Sequence, residues 1–392
     1  MVVKSEPGQW VEDILPGGTT NSGPLSIYIH VPFCATRCGY CDFNTYTAQE
    51  LGGMSSSTFV ASAHEELRIA RTVLGQRPVQ TVFFGGGTPS LLPAGELVDL
   101  LRGIREAFGL TPDAEVTTEA NPESVSRSYL DQLREGGFTR ISLGFQSAVP
   151  HVLATLERTH TPDRGLRAAR WARAAGFEHV SLDLIYGTPG ETLADWQLSL
   201  DAVTATPVDH VSAYSLIVEQ GTRLARQVRL GQVPMPDEDD VADKYLLADS
   251  FLRARGFRNY ETSNWALPGG ECRHNLAYWR GADWWGVGPG AHSHVNGVRF
   301  WNHKHPAAYA ARLSAGRLAV QGREILSAQE RRVERVLLEL RLAEGLDLGV
   351  LTDSERARVP DLAERGLVRV AGGRLVVLER LLADGIIREL LD

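Results

Sequence analysis

The chain is poor in cysteine, in methionine and in uninterrupted apolar sequence. Four cysteines in 392 residues, three of them inside CATRCGYC (34–41), do not make a disulfide framework. In a reducing compartment such a cluster reads as a metal site. No apolar run approaches the roughly 20 residues that cross a bilayer. Positive charge is also short: 40 Lys and Arg stand against 48 Asp and Glu, a net −8. That balance speaks against a general nucleic-acid binder, which needs a basic face to neutralise phosphates. Residues 1–25 lack the apolar core of a secretory signal, so a flexible tail and a cytoplasmic protein are expected. The rest is ordinary globular composition, 43% hydrophobic with 39 Gly, long enough for two or three domains.

Short β-rich segments recur: SIYIHV (26–31), TVFF (81–84), EVTTE (115–119), RISLGF (140–145), HVSLDLI (179–185) and HVSAYSLI (210–217). Amphipathic stretches at helical spacing lie between them, an alternation that predicts parallel strands with helical crossovers. LREGGFTRISLGF and ARAAGFEHVSLDL repeat one connection, a helix ending at Gly and a Phe opening the next strand; LRARGFRNYETSN is a weaker copy. The fold class is therefore α/β, either a partial (β/α)6 barrel over 26–235 or an open doubly wound sheet. A Trp- and His-rich extension follows over 236–320. A smaller α+β unit over 321–392 reads as winged-helix-like, its RGLVRVAGGRLVVL a hairpin on a Gly-Gly turn. Residues 327–392 hold eleven Arg, no Lys and thirteen acidic residues. That charge predicts a structural or lid role rather than a DNA-reading wing.

In either α/β arrangement ligands sit at the C-terminal ends of the strands. The cysteine loop follows the first strand, GGGTPS (85–90) the second, and Glu119 closes the third. Gln146 follows the fourth, Asp183 lies late in the fifth and Tyr214 late in the sixth. All fall on one rim. Three cysteines at C-x3-C-x2-C suit a zinc site completed by His30 or Cys272, or a [4Fe–4S] cluster with one iron left open. GGGTPS is neither a phosphate-cradling P-loop nor a dinucleotide fingerprint; it reads as a tight turn or as backbone open to a ligand.

YIHVPFCATRCGYCDF (28–43) resembles the cluster loop of the radical S-adenosylmethionine (SAM) superfamily. The resemblance implies a [4Fe–4S] cluster on Cys34, Cys38 and Cys41 whose open iron takes SAM. It also implies SAM contacts at Gly86, Gly87 and Thr88. From about Ile27 to the C-terminal unit, the chain is similar to the oxygen-independent coproporphyrinogen III dehydrogenases and their relatives, the HemW-type haem chaperones. Carried over by matching segments, Tyr28, Tyr40, Glu119, Gln146, Arg158, Asp183 and Ile185 would line the SAM sites. Phe43 stands where the dehydrogenases carry an extra cysteine, and only 27 residues precede Tyr28. Both departures count against that enzyme activity. RHNLAYWRG (273–281) matches the H-N-x-x-Y-W motif of the chaperones.

If helical, that motif places His274 and Tyr278 on one face, with Asn275 and Trp279 beside them. Imidazole or the Cys272 thiolate could ligate haem iron, and aromatic faces could stack on a macrocycle. Five of eleven His and five of eight Trp fall between 265 and 305. The bland alternative is a second buried aromatic core with hydrogen-bonded histidines. The resemblance implies a haem chaperone serving acceptor proteins, including respiratory proteins at a membrane surface. The competing readings are a coproporphyrinogen III dehydrogenase and a radical enzyme on another substrate.

Overall fold

The computed structural model describes residues 23–158 and 161–391. The tail expected at 1–25 lies almost wholly outside the described residues. Its last residue, Leu25, is already a buried strand position.

Six parallel strands stand side by side in the order of the sequence: β1 (Leu25–Val31), β2 (Val79–Gly86), β3 (Leu110–Ala120), β4 (Arg140–Gln146), β5 (His179–Tyr186) and β6 (His210–Ser215). The crossovers are α1 (Ser56–Leu74), α2 (Ala94–Phe108), α3 (Arg127–Glu135), α4 (Pro150–Thr155) with α5 (Pro162–Ala174), and α6 (Leu193–Thr204). A doubly wound sheet requires a reversal of strand order, and none occurs. Right-handed crossovers without reversal put every helix on one face, which is the build of a partial barrel. The other face is left to line a cavity.

The repeated Gly-Phe connection closes each helix in the same way. Gly137, Gly176 and Gly256 adopt φ of 104°, 90° and 87°. This left-handed turn lets the next residue's amide reach back: Phe138 to the Leu133 carbonyl, Phe177 to that of Ala172, Phe257 to that of Leu252. All three phenylalanines are buried under the following strand. Even the weak third copy of the pattern is real.

Beyond β6 come α7 (Arg223–Arg229), α8 (Glu238–Arg253), β7 (Arg258–Glu261), β8 (Asn264–Ala266), α9 (Arg273–Trp279), β9 (Asp283–Val287), β10 (His292–Val295), β11 (Val298–Asn302), α10 (Pro306–Ser314) and β12 (Val320–Ile325). The Trp/His-rich segment is built into the same sheet. β8 extends it beyond β6, then the chain crosses to the far side and lays β9 parallel to β1. Twelve strands result, and Trp265, Trp285 and Phe300 join the common core. Glu66 of α1 fastens the two ends. Its buried carboxylate accepts from the Gly288 amide (2.9 Å), Asn302 Nδ2 (2.7 Å) and the Tyr309 hydroxyl (2.6 Å).

The C-terminal unit comprises α11 (Ala328–Glu339), β13 (Leu346–Asp347), α12 (Asp353–Glu364), β14 (Val368–Ala371), β15 (Arg374–Val377) and α13 (Ala383–Leu391). Its strands form a sheet in the order β13–β15–β14, over a core of its own that includes Val336, Leu362, Leu375 and Leu390. Gly372 and Gly373 both take positive φ in the hairpin, as a two-residue turn of this kind demands.

Candidate functional site

The cysteine loop leaves the end of β1 and is laced to the glycine segment that ends β2. The Gly87 amide donates to the Val31 carbonyl (2.8 Å) and the Thr88 amide to that of Phe33 (2.7 Å). This contact by itself calls for glycine at 86 and 87. A Cβ on Gly87 would lie 2.4 Å from the Phe33 carbonyl oxygen, and one on Gly86 2.7 Å from the His30 ring. The far side of the loop is held by Asn44, whose Nδ2 donates to the carbonyls of Pro289 (3.0 Å) and Lys304 (2.9 Å), while the Leu224 amide donates to Gly39 (2.8 Å). A Gly87→Ala chain should still fold, because the rest of the barrel is untouched. Its loop will be displaced, however, and iron incorporated on anaerobic reconstitution is expected to fall at least threefold. Iron content per folded protein checks this.

Cys34, Cys38 and Cys41 are half-buried and face one cavity of about 920 Å³. Tyr28, Tyr40, Gly87, Thr88, Glu119, Gln146, Arg158, Asp183 and Ile185 line the same cavity, and Gly86 lies on the neighbouring cleft. The residues expected on one rim are therefore together. Tyr214 lines it too: 44% of its surface is open, but to the cavity.

Arg158 joins two parts of the rim. Its Nη1 donates to Cys38 Sγ at 3.4 Å and its Nη2 to the Gly144 carbonyl at 3.1 Å, while Nε is buried without a partner among the described residues. Gly144 is needed here, since a Cβ would lie 2.8 Å from Nη2. Gln146 follows at a bulge in the β4–β5 register with φ of 66°, a backbone conformation that costs a residue with a side chain of order 1 kcal/mol. Strain of this kind collects where a side chain must be aimed.

Burial raises several acids of the site. Burial, and then the Asp183 charge, push the Glu119 carboxyl up to about 8; its Oε2 accepts weakly from the Gly86 amide at 3.3 Å. Burial also raises Asp183, against hydrogen bonds from Ser142 (2.7 Å) and other serines. Burial pushes the Cys41 thiol up to about 11, with Cys38 and Cys34 adding to the rise, and burial raises Cys34 as well. These thiols sit near enough to oppose one another's ionisation. Three thiolates together therefore call for a strong positive partner, as an iron–sulfur cluster provides. Among the described residues no three such side chains converge on a point that would take a single ion. A cube offers each thiolate its own iron, so three thiols along one loop fit it.

The floor of the cavity was not anticipated in this form. Helix α9, carrying HNLAYW, caps the N-terminal ends of the strands. Glu115 accepts from the amides of His274 (3.0 Å) and Arg273 (3.2 Å) and pairs with Arg140 Nε at 3.1 Å. Arg140 Nη2 donates to the carbonyls of Gly270 (2.7 Å) and Glu271 (3.0 Å). His274 and Tyr278 do meet across one helical turn, Nε2 to hydroxyl at 2.9 Å. His274 is only 1% exposed, though, and its Nδ1 is engaged by Thr81 at 2.8 Å, so ligating a metal would break a bond already made. Asn275, Tyr278 and the buried Cys272 line the cavity; Trp279 is half-buried on the helix outside it.

Sequence reading missed the cavity wall itself. Ser142, Ser181 and Ser212 occupy it, from RIS, HVS and HVS at the starts of three successive strands, and Thr117 lies beside them. A small polar residue repeated at the third strand position was the available signal.

Comparison with known proteins accords with this geometry. Residues 28–203 match the model of the radical SAM superfamily. The chain is 52% identical over 380 residues to the heme chaperone HemW of Mycobacterium tuberculosis, covering 96% of this chain and 97% of that one. It is 37% identical over 272 residues to the heme chaperone HemW of Escherichia coli, covering 69% and 70%. Among solved structures, the coproporphyrinogen III oxidase HemN of Escherichia coli superposes with a TM-score of 0.82 at 23% identity, over 99% of this chain and 93% of that one, a likeness of fold. With its cysteine loop, open rim and closed floor, the chain belongs to the radical SAM superfamily, in the branch of the HemW heme chaperones.

Proposed function

We propose that this chain binds haem and passes it to acceptor proteins, using a radical-SAM-type cofactor site for assembly or control. The observation that carries the reading is the 52% identity to a heme chaperone across nearly the whole chain. Phe43, exposed at the cavity mouth where the dehydrogenases carry an extra cysteine, supports it.

In this reading Cys34, Cys38 and Cys41 hold the [4Fe–4S] cluster, and Tyr28, Tyr40, Gly86, Gly87, Thr88, Glu119, Gln146, Arg158, Asp183 and Ile185 surround SAM. When bound, a reduced cluster supplies the electron that cleaves the sulfonium of SAM. The chain's own residues do the rest. Arg158, against the Cys38 sulfur, offsets negative charge at the loop. Glu119, Asp183 and the wall serines offer hydrogen bonds to amine and hydroxyl groups. The His274, Asn275, Tyr278 and Trp279 motif contributes indirectly, by shaping and closing the floor. Acceptors include respiratory proteins at a membrane surface; no described helix is long and apolar enough to cross a membrane itself.

The competing reading, a coproporphyrinogen III dehydrogenase, is separated by one experiment. Anaerobically reconstituted protein receives SAM and reductant with either coproporphyrinogen III or haemin. Saturable haemin uptake, seen as a Soret band, with transfer to an apo-cytochrome and no vinyl-bearing product by chromatography is the expected result. Conversion to protoporphyrinogen with no haemin uptake would overturn it.

A further inference from the structure

His210 opens β6 and belongs to a buried chain of hydrogen bonds that ends inside the cavity. The chain starts at the Cys272 amide, 3.3 Å from the Tyr260 hydroxyl, which in turn lies 2.8 Å from His210 Nε2. His210 Nδ1 is 2.8 Å from Ser181 Oγ, and Ser181 Oγ donates to Asp183 Oδ1 at 3.4 Å. Tyr260, His210 and Ser181 are all buried, and Ser181, His210 and Asp183 line the cavity. Sheet register brings them together. β5 and β6 pair Ser181 with His210 and Asp183 with Ser212, so alternate residues of both strands share the inner face.

Donors in this chain can run in one direction only. A backbone amide donates and never accepts, so the Tyr260 oxygen accepts from Cys272 and its own proton goes to His210 Nε2. The ring proton then stands on Nδ1 and goes to Ser181, whose hydroxyl is left to donate to Asp183. Reversal would put the ring proton on Nε2 and make Tyr260 accept twice. The Tyr260 O–H would then have no acceptor among the described residues, and a buried donor without a partner is the costlier arrangement. A doubly protonated ring would break the chain in the same way. Burial, and then the Arg140 charge, hold His210 well below its ordinary range; His179 adds to this and Asp209 opposes it. Asp209 is itself engaged by His179 at 2.7 Å and Arg173 at 3.2 Å.

Asp183 is thus met by three hydroxyl donors: Ser181 through this chain, Ser142 at 2.7 Å, and Ser212. The Arg158 charge also favours its ionised form, while the neighbouring Tyr214 is neutral. Glu119, on the same cavity, has only the weak Gly86 amide at 3.3 Å. Two buried carboxyls that oppose each other do not ionise together, and the one with more donors goes first. We infer that His210 is a positioning residue: through Ser181 it makes Asp183 the ionised carboxyl of the cavity and leaves the proton on Glu119. The β5 wall is thereby set to receive a ligand group that donates, an amine or a hydroxyl. The assignment rests on the reading of this cavity as the SAM site.

Cluster-loaded full-length protein is titrated with SAM by calorimetry from mildly acidic to mildly alkaline pH. His210→Phe should bind SAM at least fivefold more weakly than wild type in mild acid and come within twofold of it in mild alkali, where Asp183 ionises without help. His210→Gln, whose amide can donate to Ser181 and accept from Tyr260, should follow the wild-type profile. Tyr260→Phe removes only the hydroxyl that fixes the tautomer. It should weaken binding in mild acid at least twofold, and it carries the test where His210→Phe does not fold. An unshifted profile in either Phe variant, or a loss equal at every pH, would overturn the assignment while leaving the SAM site in place. Absence of SAM binding by wild-type protein would overturn the reading of the cavity instead, and the assignment with it.

Discussion

An Arg140→Met chain should unfold at a clearly lower urea concentration than the wild type, losing about 3–5 kcal/mol. Arg140 is 1% exposed and pairs with Glu115, which is 3% exposed. Removing one partner leaves the other as an uncompensated buried charge, the costly way to break such a pair. Here the loss spreads further. Glu115 is also the acceptor for the first amides of α9, and Arg140 holds the carbonyls of Gly270 and Glu271 that lead into it. The substitution therefore loosens the floor of the cavity as well as the sheet.

The pH dependence has a definite sign. Burial favours the neutral Glu115 acid, but the Arg140 charge and the His274 and Arg273 amides outweigh it and hold the carboxyl below its ordinary range. A depressed acid contributes stability above its unfolded pKa and loses it as pH falls through the folded value. The Arg140→Met penalty should accordingly be largest near neutrality and shrink in acid. A penalty below 1 kcal/mol by tryptophan-monitored urea unfolding at pH 7 would refute this account of the floor.

Glu119→Gln should have the opposite effect on the ligand-free protein. Glu119 is a raised acid, about 8 against an ordinary 4.5. Its contribution is fully present below the unfolded pKa and is lost as pH rises towards the folded value. Without ligand, the wild-type chain should lose about 2–4 kcal/mol from this group between mildly acidic and mildly alkaline conditions. Glu119→Gln should be flat over the same range and the more stable of the two at pH 8.5. With SAM the order reverses: the variant should bind the cofactor at least tenfold more weakly. Melting temperature against pH, with and without SAM, reads both halves. Parallel profiles for the two chains would show that burial and the neighbouring Asp183 do not raise Glu119 as described.

The barrel was legible because its signals are local. Each strand carries a continuous β-branched and aromatic run, each helix an apolar stripe, and the Gly-Phe closures recur three times with the same backbone bond. Placement of the rim residues followed from one rule about strand ends. The remainder depends on contacts between distant segments, which leave no local trace. Nothing in DWWGV announces that it pairs with LSIYIHV some 250 residues earlier. Nor does GGG reveal that Gly87 presses on the Phe33 carbonyl of the cysteine loop. HNLAYW does form a helix, which brings His274 to Tyr278 as helical spacing requires. That Thr81 would occupy the remaining His274 nitrogen is a property of packing alone.

β1 is an inner strand, with β2 on one side and β9 on the other. During synthesis, β2 is available within some 60 residues, whereas β9 emerges only after two thirds of the chain has been made. Until then LSIYIHV is an open, apolar sheet edge, the kind of surface that invites pairing with another nascent chain. The loop at its tip gains its last anchors, the carbonyls of Pro289 and Lys304, later still. Polypeptides truncated before residue 283 should therefore accumulate as aggregates and take up no iron on anaerobic reconstitution.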